Sequence, residues 1–203
     1  MRERTAKKRK VRRPLRGSPE STQERLLSAA AELFTRHGYH GTVSNRIAAH
    51  AGYATGTFYK HFKDKRSVFL AVCQKRSAEQ WSAIQAEIAQ PRPPQQIARS
   101  LVDISIKFHT QWRGLRASLL EMTSTDAGVR RFCLEQRRNE IDLIAAIREA
   151  HGWRPHPREQ DAVLLFSCER AYDAIAGGEL EALGLDSHAV VEAMVRRIVE
   201  ALT

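Results

Sequence analysis

The sequence predicts an all-α protein of about nine helices. Three observations predict it. Apolar residues recur at three- and four-residue intervals along most of the chain, no segment alternates apolar and polar residues, and Gly or Pro stands between the periodic segments. With 203 residues, 42% of them hydrophobic, the chain suits one domain or a small domain joined to a larger one.

Taken in order, residues 1–17 read as a disordered basic arm. Nine of the 33 Lys and Arg lie within residues 1–16, opposed only by Glu3, a local net charge of +8. The other 24 basic and 22 acidic residues leave +2, so the pI describes a tail and not a basic globule. Such a block serves either as a nucleic-acid arm or as a plain solubilising extension. Pro14, Gly17 and Pro19 close it. Ser21 and Glu24 then have capping-box spacing, Leu26, Ala30, Leu33 and Phe34 share a stripe, and Gly38 is a natural stop. A helix is expected from Thr22 to His37.

Two short helices follow, Thr42–Ala51, stopped by Gly52, and Thr55–Phe62. A pair that short buries little surface alone and needs the first helix as its floor. That trio is a helix-turn-helix arrangement, placed at residues 18–66.

Residues 67–203 read as a larger helical domain. Phe69, Cys73, Trp81, Ile84 and Ile88 form one long stripe, ended by Pro91, Pro93 and Pro94. Ile97, Leu101, Ile104 and Phe108 form the next. A short apolar piece, Leu115 to Met122, precedes a helix marked by Val129, Phe132, Cys133, Leu143, Ile144 and Ile147. After Pro155 and Pro157, Ala162–Ile175 is apolar nearly all round, and Val191, Met194, Val195, Ile198 and Leu202 mark the last helix.

Several chemistries find no support. Cys73, Cys133 and Cys168 are widely spaced and odd in number, which suits buried free thiols better than a disulfide framework or a zinc knuckle. The eight histidines form no HExxH pattern, and neither GxSxG nor a Walker loop occurs. No catalytic residue, metal or cofactor is expected. No apolar run approaches bilayer length, and the basic N-terminus has no apolar segment behind it, so a cytoplasmic protein without a membrane partner is expected.

The short helices carry residues suited to DNA. Ile47, Ala48, Ala51 and Phe58 supply apolar faces for close approach, and Gly52 allows the turn. Gly56 lets backbone come near a phosphate. Thr57, Tyr59 and His61 offer short or planar donors, and Lys60, Lys63 and Lys65 surround them with charge.

Residues 22–70 closely resemble the DNA-binding domain of the tetracycline-repressor-like (TetR/AcrR) family. The matching residues are Ala31, Leu33 and Phe34, Gly38-Tyr39, Thr42, Ile47-Ala48, Ala51-Gly52, Gly56-Thr57 with Tyr59, Phe62 and Lys65. The resemblance implies a ligand-responsive regulator, most simply a repressor, that binds a palindromic operator as a dimer. Thr57, Tyr59, Lys60 and His61 would lie in the major groove, with Thr42, Ser44, Asn45, Thr55 and Gly56 at its edges and Lys65 on a phosphate. Asn45 suits a bidentate contact to adenine. Two departures bear on base preference. Tyr53-Ala54 stands where an apolar residue and Ser are common, so Thr55 must cap the recognition helix or the cap is lost, and Ser44 occupies a usually apolar position.

For the larger domain the resemblance implies a small-molecule pocket and a homodimer interface formed by the last two helices. Trp81, Phe108, Trp112, Met122, Phe132, Phe166, Cys168 and Tyr172 are the candidate wall of a site for a mostly apolar ligand, and each equally suits an ordinary core. Glu121, Asn139, Glu169 and Arg170 are candidates to orient a ligand or simply paired ions. The competing readings are a non-specific nucleic-acid binder driven by the arm, an all-helical enzyme, and an activator of the same family.

Overall fold

Ser18, and not Ser21, starts the first helix. In the computed structural model, which describes residues 18–202, α1 spans Pro19–His37. Ser18 Oγ accepts from the Ser21 amide at 3.3 Å, and Pro19 supplies the preset first-turn φ. Glu24 is not a capping residue; it pairs with Lys75. The expected start at Thr22 is thus three residues late. The basic arm at residues 1–17 lies outside the described residues.

The two short helices are α2, Ser44–His50, and α3, Thr55–His61. A long α4, Lys65–Ile88, begins with a capping box between Asp64 and Ser67. Then come α5, Pro94–Gln111, α6, Arg113–Thr125, α7, Ala127–Ala150, α8, Arg158–Gly177, α9, Glu179–Ala182, and α10, Ser187–Leu202. Among the described residues the fold is all helical, with ten helices and no strand. The addition to the expected nine is α9, a single turn too short to show periodicity. No helix among these residues is long and apolar enough to cross a membrane.

Two apolar cores organise the chain. The first gathers Leu26, Phe34, Ile47, Phe58 and Phe69, all fully buried, and extends to Leu115, Met122 and Val129 of α6 and α7. Phe34 packs edge-on against Phe69 at 5.1 Å between ring centres. The second core lies where α5 meets α8 and α10, around Val102, Leu164, Tyr172, Val195 and Ile198. The α8 stripe Leu164, Cys168, Tyr172 runs at four-residue steps, so one face of that helix points inward along its length. Its other face leaves Val163 and Phe166 exposed.

The helix-turn-helix meets α6 and α7 of the larger bundle at close approaches. Gly114 of α6 lies so near Thr35 of α1 that a Cβ there would come within 2.2 Å of the Thr35 carbonyl oxygen. One turn on, Ser118 Oγ accepts from the Tyr39 amide at 2.9 Å and donates to the Gly114 carbonyl at 3.1 Å. At 2.5 Å, Arg66 Nε donates to Asp126, which also accepts from the Gly128 and Val129 amides as the cap of α7.

Candidate nucleic-acid interface and interior cavity

Helix α3 is anchored by its apolar residues and offers its polar ones outward. Phe58 is fully buried and Phe62 nearly so, their rings 5.7 Å apart. That fixes the roll of a seven-residue helix and turns Tyr59, Lys60 and Gly56 to solvent, with Tyr59 55% exposed. Thr55, Thr57 and His61 are half-buried at the margins of the same face. In α2 the buried pair Ile47 and Ala48 does the same, leaving Asn45 and Arg46 exposed and Ser44 half-buried. Gly52, at φ 82°, makes the turn between the helices, and the Tyr53 amide closes it onto the Ala48 carbonyl at 2.8 Å.

Thr42 is fully buried: its hydroxyl donates to the Gly38 carbonyl at 2.9 Å and approaches that of Leu33 at 3.3 Å. It braces the α1–α2 turn and offers nothing to a groove. Val43, not Thr42, precedes α2, without a side-chain cap. At α3 the N-cap is Ala54, also without a side-chain bond, so Thr55 does not take over the role. Lys65 is half-buried. Its ammonium donates to the Tyr39 carbonyl at 2.9 Å and sits 4.1 Å over the Tyr39 ring, and burial lowers its pKa. Arg46 is an exposed cation that the reading of the sequence passed over; it donates to His37 at 2.9 Å.

The larger domain holds a cavity of about 130 Å³ between α4, α5, α7, α8 and α10. Trp81, Cys168 and Tyr172 line it. Phe108 and Trp112 line an adjoining space of about 90 Å³. Phe132 borders a third, of about 250 Å³. Arg116 borders all three. Two candidates fall outside them. Met122 is buried in the first core, because α6 turns that side chain toward the helix-turn-helix. Phe166 lies on the outer face of α8, 49% exposed, with the Arg137 guanidinium 5.2 Å from its ring centre. Of the four proposed orienting residues, Glu169 lies at the cavity, whereas Arg170 is exposed and paired with Glu179. Glu121 and Asn139 are exposed.

The polar end of the cavity holds a chain of charges. Arg116 donates from Nε to Asp173 at 2.6 Å and from Nη2 to Glu169 at 3.3 Å. Arg137 also pairs with Glu169. His109 Nδ1 donates to Asp173 at 2.9 Å. Burial pushes Asp173 up, but bonds from His109 and Arg116 outweigh it and hold the carboxyl at about 2. Glu140 is different. Burial, with Glu169 nearby, raises it to about 7. Arg116, Glu140, His109 and Asp173 were missed as site residues. The available signal was phase, since Glu140 lies seven residues after Cys133 and seven before Ile147, on the apolar stripe of α7.

Residues 26–72 match the model of the bacterial regulatory proteins of the tetR family. The chain is similar to the transcriptional repressor AcnR of Corynebacterium glutamicum, 24% identical over 53% of this chain and 54% of the relative. It is also similar to the transcriptional activator FasR of Mycolicibacterium smegmatis, 32% identical over 51% of each. The chain spans about half the length of the relatives it matches. In fold it is similar to the regulator FadR of Bacillus subtilis solved with stearoyl-CoA, with a TM-score of 0.67, 16% identity, and 87% of this chain and 97% of that one covered.

Proposed function

We propose that the chain, whose residues 26–72 match the model of the bacterial regulatory proteins of the tetR family, is a cytoplasmic, ligand-responsive repressor of that family that grips a palindromic operator as a homodimer. Residues 18–66 form the DNA-binding unit in this reading, and residues 67–203 take the ligand and the second subunit. The observation that carries it is the arrangement of α3: Phe58 locked into the core while Tyr59 and Lys60 stand outward, with Asn45 of the adjoining α2 also exposed. Base-edge contacts then fall to Tyr59, Thr57, His61 and Asn45. Lys60 and Arg46 supply phosphate attraction, with Thr55, Gly56, Ser44 and Lys65 at the rim.

The exposed Val163 and Phe166 on α8, beside an α8–α10 groove bordered by Arg197 and Glu200, support a two-fold helix bundle between subunits. Such a dimer sets its recognition helices about 34–36 Å apart, one turn of DNA. The cavity is the effector site. Helix α4 starts beside the DNA-binding face at Lys65 and reaches the cavity at Gln80, Trp81 and Ile84. A ligand that favours one setting of α4 therefore shifts operator affinity, by as much as its own affinities for the two settings differ. The apolar lining suits a small, mostly apolar molecule, and the FadR neighbour with its stearoyl-CoA supports that class. Relatives named as regulators favour neither an enzyme nor an unspecific binder.

Selection of random duplexes by the purified protein, then titration at two salt concentrations, tests the reading. A palindrome with half-sites one turn apart is expected. Binding without a motif that simply falls with salt would overturn it in favour of a non-specific binder.

A further inference from the structure

Glu140, in the second half of α7, borders both the 130 Å³ cavity and the 250 Å³ space beside it. Its Oε2 is closed off from solvent and has no hydrogen-bond partner. The cations near it are already committed, Arg116 to Asp173 and Glu169, and Arg137 to Glu169. The remaining polar neighbours in the first space are Gln80 from α4, Ser105 and His109 from α5 and Tyr172 from α8, and His109 gives its Nδ1 to Asp173. The second space adds Ser77, Thr123, Gln136 and the exposed Arg130, which lies ten residues before Glu140 on α7 and donates to the Thr123 and Ser124 carbonyls. Two guanidiniums therefore stand against three carboxylates, and Glu140 is the carboxylate left without a counter-charge.

A buried carboxylate is costly unless a donor and a positive charge satisfy it. Here the chain supplies no donor to Oε2, and the two guanidiniums that act on Glu140 from nearby, Arg137 and Arg116, are bonded to Glu169 and Asp173, while the facing walls are hydrocarbon: Trp81, Ile84, Leu143, Ile147 and Ile198. We propose that the effector is an apolar amine, whose protonated nitrogen donates to Glu140 while its hydrocarbon body lies along Trp81 and Leu143. This rests on the cavity being the effector site. It narrows the class to molecules that bring a cation, and it separates this chain from a neighbour solved with an acyl thioester. Burial pushes Glu140 up to about 7, so on its own it is partly protonated near neutrality, and a bound amine draws it into the charged form.

The test compares decylamine, decanol and decanoate, below their micellar concentrations, by calorimetry on the full chain at pH 8 and pH 6. At pH 8 decylamine should bind at least about tenfold tighter than the other two, the strength of one charge-assisted bond. At pH 6 that margin should shrink as Glu140 gains a proton. Glu140→Gln should reduce decylamine to the affinity of decanol and remove the pH dependence, which separates Glu140 from His109. Glu140→Leu, with the charge removed and the wall kept apolar, should bind decanol at least as well as the wild type. Should decanol bind while decylamine is no tighter, or should Glu140→Gln keep the preference, the amine is wrong and the effector cavity stands. If none of the three binds, both are overturned.

Discussion

Arg66 and Asp126 meet through two bonds across the join between the helix-turn-helix and the larger bundle, Nε to Oδ2 at 2.5 Å and Nη2 to Oδ1 at 2.7 Å. Asp126 at the same time caps α7, and these bonds, that from Arg66 foremost, hold its carboxyl at about 2. A carboxyl lowered on folding contributes stability above its ordinary pKa of 3.8 and loses it as pH falls toward 2. Asp126→Asn should therefore melt below the wild type at pH 7, and the gap should close between pH 4 and pH 2. A gap that stays constant with pH would show that the carboxylate charge does not matter there.

Thr42 and Tyr59 should separate folding from recognition. Thr42→Val removes a buried hydroxyl from the Gly38 carbonyl and should cost about 1–2 kcal/mol in urea denaturation. With the protein still folded, its operator affinity should hold. Tyr59→Ala, at a mostly exposed position, should leave the melting temperature within a degree or two, since exposed substitutions usually fall within about 0.5 kcal/mol. It should cost operator affinity at least about tenfold, the loss of one good base-edge contact. Loss of binding in Thr42→Val at full folding would return that hydroxyl to the interface.

Much of this was legible in the sequence for a physical reason. Phe58, Ile47 and Phe34 are large apolar residues at helical spacing, and burial follows from that spacing. The start of α1 was misplaced because Ser18-Pro19 and Ser21 both offer start signals, and a cap depends on backbone angles that residue type does not set. Thr42 was misread for a related reason: a hydroxyl beside a turn bonds inward or outward according to where the chain bends. Met122 and Phe166 went astray because an apolar stripe gives a helix's buried side without naming the neighbour it faces. The polar end of the cavity is assembled from α5, α6, α7 and α8. No local pattern contains Arg116, Glu169 and Asp173 together.

The uncapped start of α3 offers a gain. Ala54 has the extended backbone of an N-cap, φ −75° and ψ 153°, without a side-chain acceptor. Ala54→Ser should add the missing bond and stabilise the protein by about 0.5–2 kcal/mol, seen as a higher denaturation midpoint. An unchanged midpoint would mean that solvent already satisfies those amides as well as a hydroxyl does.

Gly114 sets the distance between α6 and α1. An added Cβ would stand 2.2 Å from the Thr35 carbonyl oxygen and 3.0 Å from its carbon, both backbone atoms that cannot swing away. Gly114→Ala should force the helices apart and cost about 1–3 kcal/mol, despite alanine's better helix propensity. Because α6 also carries Arg116 into the cavity, effector affinity should change as well. A variant of wild-type stability would show that α6 slides along α1 freely.

Arg148 and Asp161 form the most enclosed ion pair among the described residues. Nη2 lies 2.5 Å from Oδ1, and the side chains are 3% and 0% exposed. Arg148 Nε also donates to the Ala201 carbonyl at 2.9 Å, so one guanidinium ties α7 to both α8 and α10. Removing a single partner strands the other charge out of reach of solvent. Asp161→Ala should thus cost about 3–5 kcal/mol, well above the usual effect of a surface pair. The double change Arg148→Met with Asp161→Leu strands no charge, and it should recover most of that loss, because two apolar side chains of similar volume need no desolvation. Urea denaturation of the three proteins decides it. A double variant no better than Asp161→Ala would mean that the tie to Ala201, and not the ion pair, holds the ends of these helices together.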